Sequence, residues 1–286
     1  MLKKLIILPF DHRSSFSREL LKQKGKPSQK AVKQIKYFKN IIFQAFLKVY
    51  NKSENKKDLA ILVDEQYGRE VIKKAQKLGI KLCLPVEKSG QKEFRFEHGN
   101  SFARKILEID PDFVKVLIRY NPQNKLVNKK QLERLKRLNK FCVRKNYPLI
   151  LELLVPATMQ DLKTAGSKIA YDKRIRPGKT ALAIKEIRKV IKVDVWKLEG
   201  TTQKNWSKII KKIDEKSGII VLGRGEDKEQ VIKWLGAAKR FKKIIGFAIG
   251  RTIFLRPLKK MLSKEYNKTQ TIEKIAKNFE FFIKFW

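Results

Sequence analysis

Eight short apolar runs, separated by longer amphipathic stretches, constrain the fold of this chain more than any other feature. Most of them are apolar along their whole length, which is typical of parallel strands covered on both faces. Strand–helix alternation repeated eight times predicts an α/β protein, a single (β/α)8 TIM barrel over 1–286. In chain order the runs are LIILPFD (5–11), LAILVDE (59–65), KLCLPVE (81–87), FVKVLIRY (113–120), PLILELLVP (148–156), VDVWKLEG (193–200), GIIVLGRG (218–225) and IIGFAIGR (244–251).

Helical periodicity supports the same architecture. It is clearest in 68–79, 129–145 and 181–192, and in the first of these the predicted apolar face consists of Val71, Ile72, Ala75 and Leu78. The long connection 12–58 is expected to hold an extra element before a helix near 31–50. The chain from Pro257 onward is expected to form the last helix or helix pair. The alternative is a two-domain dinucleotide-binding arrangement, but no GxGxxG motif follows the first run.

Basic residues dominate the charge, with 68 Lys and Arg against 28 Asp and Glu and a formal net charge of +40. Such an excess is typical of proteins that bind nucleic acid or another polyanion. The lysines, however, recur on every predicted helix and do not gather in one tail or stripe. We therefore interpret the charge as a compositional bias of the surface, with weak non-specific adhesion to nucleic acid at low salt.

The sequence predicts a cytoplasmic protein that needs no metal or other cofactor. Apolar runs stay below the roughly 18 residues of a membrane span, and the short LIILPF near the N-terminus is followed at once by DHR. Cys83 and Cys142 lie far apart in apolar or helical contexts, so neither a disulfide framework nor a metal site is indicated. Association into a homo-oligomer stays open.

Charged residues inside the predicted strands are the strongest indication of function. Lys197 and Glu199 lie on one face of the sixth strand, because side chains alternate along a strand. Lys115 and Glu152 lie in the middle of the fourth and fifth apolar runs. Burying one charge alone is costly, so we expect the four to compensate one another at the barrel mouth. The alternative is a buried ion-pair cluster with a purely structural role.

Two lysines and two glutamates at a barrel mouth suit amine catalysis. Desolvation and a nearby cation favour the neutral form of a lysine, which then forms a Schiff base with a ketone. We expect Lys197 to be the nucleophile, Lys115 the nearby cation and Glu152 the proton shuttle. Glu199 is expected to orient Lys197 or to contact the substrate.

Glycine–arginine corners follow the last two predicted strands, where barrels often bind phosphate. They predict a phosphosugar substrate, with the arginines adding charge-assisted hydrogen bonds. His12 and Arg13, directly after the first strand, are further candidates for substrate binding. The residues of the two corners are Gly223, Arg224, Gly225, Gly250 and Arg251.

The stretches ILPFDHRSSF, ILVDEQYG, LPVEKSGQ, VKVLIRYNP, WKLEGT and IGRTIF together resemble the 2-deoxy-5-keto-D-gluconate 6-phosphate aldolase-like domain of inositol catabolism. More distantly, the chain is similar to class I tagatose 1,6-bisphosphate aldolase. The resemblance implies that Lys197 forms the Schiff base, that Glu152 is the acid/base, and that Asp11 is also catalytic. It further implies phosphate binding at Gly250 and Arg251.

The resemblance implies cleavage of the keto-gluconate phosphate to dihydroxyacetone phosphate and malonate semialdehyde. His12 and Arg13 follow Asp11 where tagatose-type enzymes carry a glutamine-like residue, which favours the deoxyketogluconate branch. Tagatose 1,6-bisphosphate and other sugar phosphates are alternative substrates. A non-catalytic basic barrel that binds a polyanion is the alternative from a different class.

Overall fold

Eight parallel strands close into a barrel in which each strand pairs with its neighbours in the sequence and the last pairs with the first. A computed structural model describes residues 3–286 except Lys24 and Lys26. The (β/α)8 fold predicted from the sequence is confirmed. The strands are β1 (Leu5–Pro9), β2 (Leu59–Leu62), β3 (Lys81–Pro85), β4 (Phe113–Arg119), β5 (Leu149–Leu154), β6 (Val195–Glu199), β7 (Gly218–Leu222) and β8 (Ile244–Ala248).

The apolar strands divide their side chains between two layers of core. Leu5 and Ile7 of β1 point into the barrel and pack with inward residues of the other strands. Ile6 and Leu8 point outward and belong to the larger core beneath the helices. Trp196 lies in that outer core, between the barrel and the helices, and is fully buried.

Twelve α-helices surround the barrel in the described part of the chain. They are α1 (Ser14–Leu21), α2 (Gln29–Lys52), α3 (Glu65–Lys77), α4 (Phe102–Ile109), α5 (Lys125–Arg144), α6 (Met159–Ala165), α7 (Lys168–Ala170), α8 (Arg176–Arg188), α9 (Gln203–Ile210), α10 (Lys228–Ala238), α11 (Arg251–Leu262) and α12 (Lys268–Phe285). A π-helical turn, Tyr171–Ile175, joins α7 to α8. None of the described helices combines the length and the apolar character that a membrane span requires.

Helix positions differ from the sequence expectations mainly at their ends. The extra element in the first connection is α1, and the helix expected near 31–50 is the longer α2. Leu78 was assigned to the apolar face of α3, but it is 55% exposed. That assignment is wrong because α3 ends at Lys77 and the chain turns at Gly79, whose φ is +63°. Pro257 lies inside α11 and does not begin a helix.

The seam of the barrel between β8 and β1 depends on glycine. A Cβ at Gly246 would lie 1.8 Å from the main-chain oxygen of Leu5, and one at Gly250 would lie 2.3 Å from that of Pro9. Backbones that approach so closely leave no room for a side chain. These two glycines therefore permit the closure of the ring.

Candidate active site

Five ionisable side chains from five strands or strand ends meet at the carboxyl end of the barrel. Lys115 Nζ lies 2.9 Å from Asp11 Oδ2, 2.6 Å from Glu87 Oε1 and 2.9 Å from Glu152 Oε2. Lys197 Nζ donates to Glu152 Oε2 at 2.9 Å. We call Asp11, Glu87, Lys115, Glu152 and Lys197 the lysine–carboxylate cluster. The structure thus brings together three of the four charged strand residues noted in the sequence and adds two carboxylates.

Strand register places the amine beside its carboxylate. Glu152 of β5 is aligned with Lys197 of β6 in the parallel ladder. Both point inward, because Ile150 and Val195, two positions earlier on the same strands, belong to the barrel interior. A register slip of one residue would turn either side chain to the helix layer. The pairing of the sheet therefore fixes the geometry of the Lys197–Glu152 contact.

Electrostatics within the cluster assign distinct charge states. Burial alone would lower the pKa of Lys115, but Asp11, Glu152 and Glu87 raise it well above its usual value. Burial likewise opposes ionisation of Asp11 and Glu152, yet Lys115 and Lys197 hold the pKa of Asp11 well below its usual range and lower that of Glu152 to about 2. Lys115 is therefore a cation, and Asp11 and Glu152 are anions, at neutral pH.

Glu87 differs from the other two carboxylates. Burial raises its pKa, although Lys115 and Arg13 act in the opposite direction. Its side chain also accepts a hydrogen bond from the main-chain N–H of Leu117 at 3.2 Å. Among the carboxyl groups of the cluster, Glu87 is the one whose environment favours the protonated form.

The loop after β1 carries two candidates that face different surroundings. Burial is the main reason that the pKa of His12 falls to about 3, so its imidazole is neutral at physiological pH. Its Nδ1 has no hydrogen-bond partner among the described residues, and its ring lies edge-on to Phe254 at 6.1 Å. Arg13 is buried and donates to Glu97 Oε2 and to the main-chain oxygen of Glu87, both at 2.6 Å. Arg13 therefore holds the segment that carries Glu87.

Glu199 forms its ion pairs with residues outside the lysine–carboxylate cluster. It accepts ion pairs at 3.1 Å from Arg176 and from Arg224. Asp172 in the π-helical turn pairs with the same two arginines, at 3.1 and 2.7 Å. We call these four residues the arginine–carboxylate ring. The carboxylate of Glu199 is thus held by Arg176 and Arg224. These contacts give no support to the expectation that Glu199 orients Lys197.

The two glycine–arginine corners come together at the ends of β7 and β8. Arg251 donates to Glu19 Oε1 and to the main-chain oxygen of Arg224, both at 2.7 Å. Its guanidinium lies so close to Gly225, whose φ is +82°, that an added Cβ would meet Arg251 Cζ at 2.7 Å. Gly223 packs against Ile249. Both corner arginines thus pair with carboxylates, and phosphate binding there stays a prediction.

A cavity of about 310 Å³ opens above the lysine–carboxylate cluster. Asp11, Glu87, Lys115, Glu152 and Lys197 all line it, as do His12 and Arg13. Its rim carries basic side chains from α1, from the loop after β3 and from β4, namely Arg18, Lys88, Lys92 and Arg119. A small anionic molecule would therefore be attracted to the mouth and would reach the amine of Lys197.

The sequence analysis did not place Glu87 among the candidate site residues. Glu65 and Glu87 each end one of the apolar runs, but of these two only Glu87 enters the lysine–carboxylate cluster. Glu65 instead contacts His98 and Lys105, each at 3.2 Å. Glu87 turns its carboxylate to Lys115 and offers only its main-chain oxygen to Arg13. The available signal was its place at the carboxyl end of a strand, which it shares with Asp11.

A parallel barrel with a buried lysine–carboxylate pair at its carboxyl end defines the chain as a TIM-barrel protein with a candidate amine-containing active site. The chain belongs to the family described as "Uncharacterized protein conserved in bacteria (DUF2090)", whose model matches residues 1–286. No sequence among the curated proteins compared with it matches.

Solved structures of similar fold include several aldolases. An archaeal fructose-1,6-bisphosphate aldolase, with its catalytic lysine covalently bound to the carbinolamine intermediate, is 16% identical with a TM-score of 0.59, over 96% of this chain and 94% of the other. The fructose-bisphosphate aldolase of Slackia heliotrinireducens is 10% identical at 0.59, over 96% and 86%. A protein from Corynebacterium glutamicum is 13% identical at 0.60, over 97% and 86%. At these identities the likeness establishes the fold.

Proposed function

We propose that this protein is a class I aldolase that cleaves a ketose phosphate through a Schiff base on Lys197. The observation that carries the proposal is the 2.9 Å contact between Lys197 Nζ and Glu152 Oε2 in a buried cluster at the carboxyl end of the barrel. Barrel enzymes place their catalytic groups at this end. The similarity in fold to Schiff-base-forming fructose-1,6-bisphosphate aldolases supports the same reaction class.

In the proposed reaction, Glu152 accepts or donates a proton at each chemical step. Glu152 takes a proton from the Lys197 ammonium, and the free amine adds to the ketone carbon of the substrate. Glu152 returns the proton as water leaves, which gives a protonated imine. The imine accepts the electron pair of the breaking carbon–carbon bond while Glu152 takes the proton of the adjacent hydroxyl group. Glu152 gives this proton to the enamine carbon, and water hydrolyses the protonated imine that results, which releases the second product and restores the Lys197 ammonium.

Lys115 and Asp11 keep the shuttle in its working state. Lys115 is held cationic by its three carboxylates and so keeps Glu152 ionised before the substrate binds. Asp11, two residues after β1, balances that cation, with its Oδ2 2.9 Å from Lys115 Nζ. In this proposal both residues tune the shuttle, and Lys197 and Glu152 exchange protons with the substrate.

The substrate we propose is 2-deoxy-5-keto-D-gluconate 6-phosphate, cleaved to dihydroxyacetone phosphate and malonate semialdehyde in inositol catabolism. Support comes from the motifs DHRSSF, VEKSG and KLEG, and from the basic rim of the cavity. We assign the phosphate to the corners at Gly223–Gly225 and Gly250–Arg251, and the remaining polar contacts to Glu199, His12 and Arg13. Tagatose 1,6-bisphosphate is the alternative substrate.

Borohydride trapping tests the reaction class. The protein is incubated with dihydroxyacetone phosphate, reduced with borohydride and weighed as an intact chain. We expect one stable adduct on the wild type and on Lys204→Met, whose lysine is exposed on α9, and none on Lys197→Met. An adduct of equal yield on Lys197→Met would show that another lysine reacts and would refute the assignment.

The net charge of +40 supports polyanion binding as a second candidate. A dedicated binder would show saturable stoichiometry and a steep dependence of affinity on salt. Adhesion by a basic surface alone would be weak and would vanish at physiological salt. Titration of a DNA duplex at two salt concentrations separates the two outcomes.

A further inference from the structure

A third buried lysine, Lys39, contacts the segment that carries Asp11 of the lysine–carboxylate cluster. Lys39, on α2, is fully buried, and its Nζ donates to the main-chain oxygens of Phe10 and His12 and to Asp64 Oδ1. An ammonium group has three donors, so these contacts use all of them. Asp64, itself 1% exposed, accepts from the main-chain N–H of Tyr67 with its other oxygen and thereby caps α3.

The two carbonyl groups that Lys39 binds belong to the residues on either side of Asp11. Strand β1 ends at Pro9, so the segment that carries Asp11 has left the barrel ladder. Phe10 still donates its N–H to the main-chain oxygen of Leu62 at 2.8 Å. Lys39 therefore fixes the backbone before and after Asp11 from outside the barrel.

A buried ion pair is a poor way to stabilise a protein, because desolvation offsets the attraction between the charges. Lys39 is removed from solvent, and the ring of Phe16 lies 5.6 Å from its Nζ. Apolar side chains in place of the whole Lys39–Asp64 pair would fill the same space without the cost of desolvation. The presence of a charge is better explained by the two carbonyl oxygens that it orients.

We propose that Lys39, anchored by Asp64, is a positioning residue that sets the place of Asp11 beside Lys115. Its effect on turnover rests on the proposed aldolase function, whereas its effect on Asp11 and Lys115 does not. Without Lys39, the main-chain oxygens of Phe10 and His12 lose the donor that holds them. The loop after β1 then shifts, and Asp11 moves away from the ammonium of Lys115. Lys115 then loses one of the three carboxylates that keep it protonated, and the balance of charge around Glu152 changes.

Site-specific acetylation of Lys115 measures this effect without a substrate. Folded wild type and Lys39→Met are treated briefly with acetic anhydride over a range of pH, and labelling is quantified by peptide mass spectrometry relative to exposed Lys204. We expect Lys115 to react faster in Lys39→Met, about tenfold for each unit by which its pKa falls. Lys48→Met is the control, because Lys48 lies on the same helix and pairs at the surface with Glu273.

A double-variant cycle tests whether the effect passes through Asp11. Asp11→Asn alone should accelerate labelling of Lys115, and adding Lys39→Met should then change it no further. Independent accelerations in the double variant would overturn the proposal. So would an unchanged Lys115 profile in Lys39→Met that gives the wild-type circular dichroism spectrum.

A second variant covers the case in which Lys39→Met does not fold, since it leaves Asp64 buried without its cation. Lys39→Met/Asp64→Asn removes both charges and keeps a side chain that caps α3. It should show the same faster labelling of Lys115, and wild-type labelling would refute the positioning role. Borohydride trapping with dihydroxyacetone phosphate is run in parallel. A wild type that traps no ketone would count against the aldolase function, while the labelling still decides the role of Lys39.

Discussion

Replacing Lys115 by methionine should reverse the pH dependence of stability. In the wild type, Glu152 has its pKa lowered from 4.5 to about 2, against the effect of burial, chiefly by Lys115 and then Lys197. Its contribution to stability is therefore complete above about 4.5 and is lost as the pH falls towards 2. A depression of this size corresponds to about 3 kcal/mol of unfolding free energy.

Methionine leaves three buried carboxylates where the ammonium stood. Burial and mutual repulsion then raise the pKa values of Asp11, Glu87 and Glu152 above those in the wild type, with Lys197 as the one cation of the cluster that still opposes the rise. We therefore expect the folded state to bind more protons than the unfolded chain. Stability must fall as the pH rises through those raised values. At neutral pH we expect Lys115→Met to cost about 3 to 5 kcal/mol, the usual result of removing one partner of a buried ion pair.

Urea unfolding at a series of pH values between 4 and 8, on the order of one unit apart, measures the effect. Lys105→Met is the matched control, since Lys105 pairs with Glu65 and Glu108 near the surface, where ion pairs contribute little. The wild type and the control should keep or gain stability from pH 4 to pH 6, whereas Lys115→Met should lose it. A variant whose stability rises with pH in parallel with the wild type would refute the assigned charge states.

Further expectations concern single substitutions elsewhere. Glu152→Gln should lower the rate of retro-aldol cleavage about 100-fold or more, measured as turnover, because it cannot accept the proton of Lys197; turnover near wild type would exclude the shuttle. Gly246→Ala should lower the unfolding free energy by about 3 kcal/mol, because its Cβ would collide with Leu5. Its control, Gly236→Ala in α10, meets nothing closer than 3.9 Å and should gain up to about 1 kcal/mol. His12→Asn should make stability less dependent on pH between about 3 and 6.5, since burial lowers the His12 pKa to about 3 and folding opposes its protonation there. If His12 were exposed, calorimetry at several pH values would show the same dependence of stability on pH in His12→Asn as in the wild type.

The barrel itself was accessible from the sequence, because fully buried parallel strands leave continuous apolar runs. The runs extend one to three residues beyond the observed strands at their carboxyl ends, as with Asp11 after β1 and Glu87 after β3. Polar residues there leave the ladder to face the cavity. An apolar run in the sequence indicates that a strand is buried, but it does not indicate the residue at which hydrogen bonding to the neighbouring strands ends.

The Lys197–Glu152 pair was also accessible, since alternation places both side chains inside the barrel. The partners of Glu199 were not. They come from α8 and from the loop after β7, and the π-helical turn that aims Asp172 at them has no marker in the sequence. The alternation of side chains along a strand determines which face of the sheet a residue occupies. Which oppositely charged residue it pairs with depends on loops that come together only in the folded chain.

The composition of the lysine–carboxylate cluster has a consequence for synthesis of the chain on the ribosome. The half of the barrel made first, β1 to β4, contributes Asp11, Glu87 and Lys115, and so carries an unmatched acid. The second half contributes Glu152 and Lys197, separated from the others by up to 186 positions (197 − 11). Contacts of such long range form late. A nascent barrel therefore cannot place Lys197 next to Glu152 before β6 has docked, so the lysine–carboxylate cluster is complete only once six of the eight strands have been made.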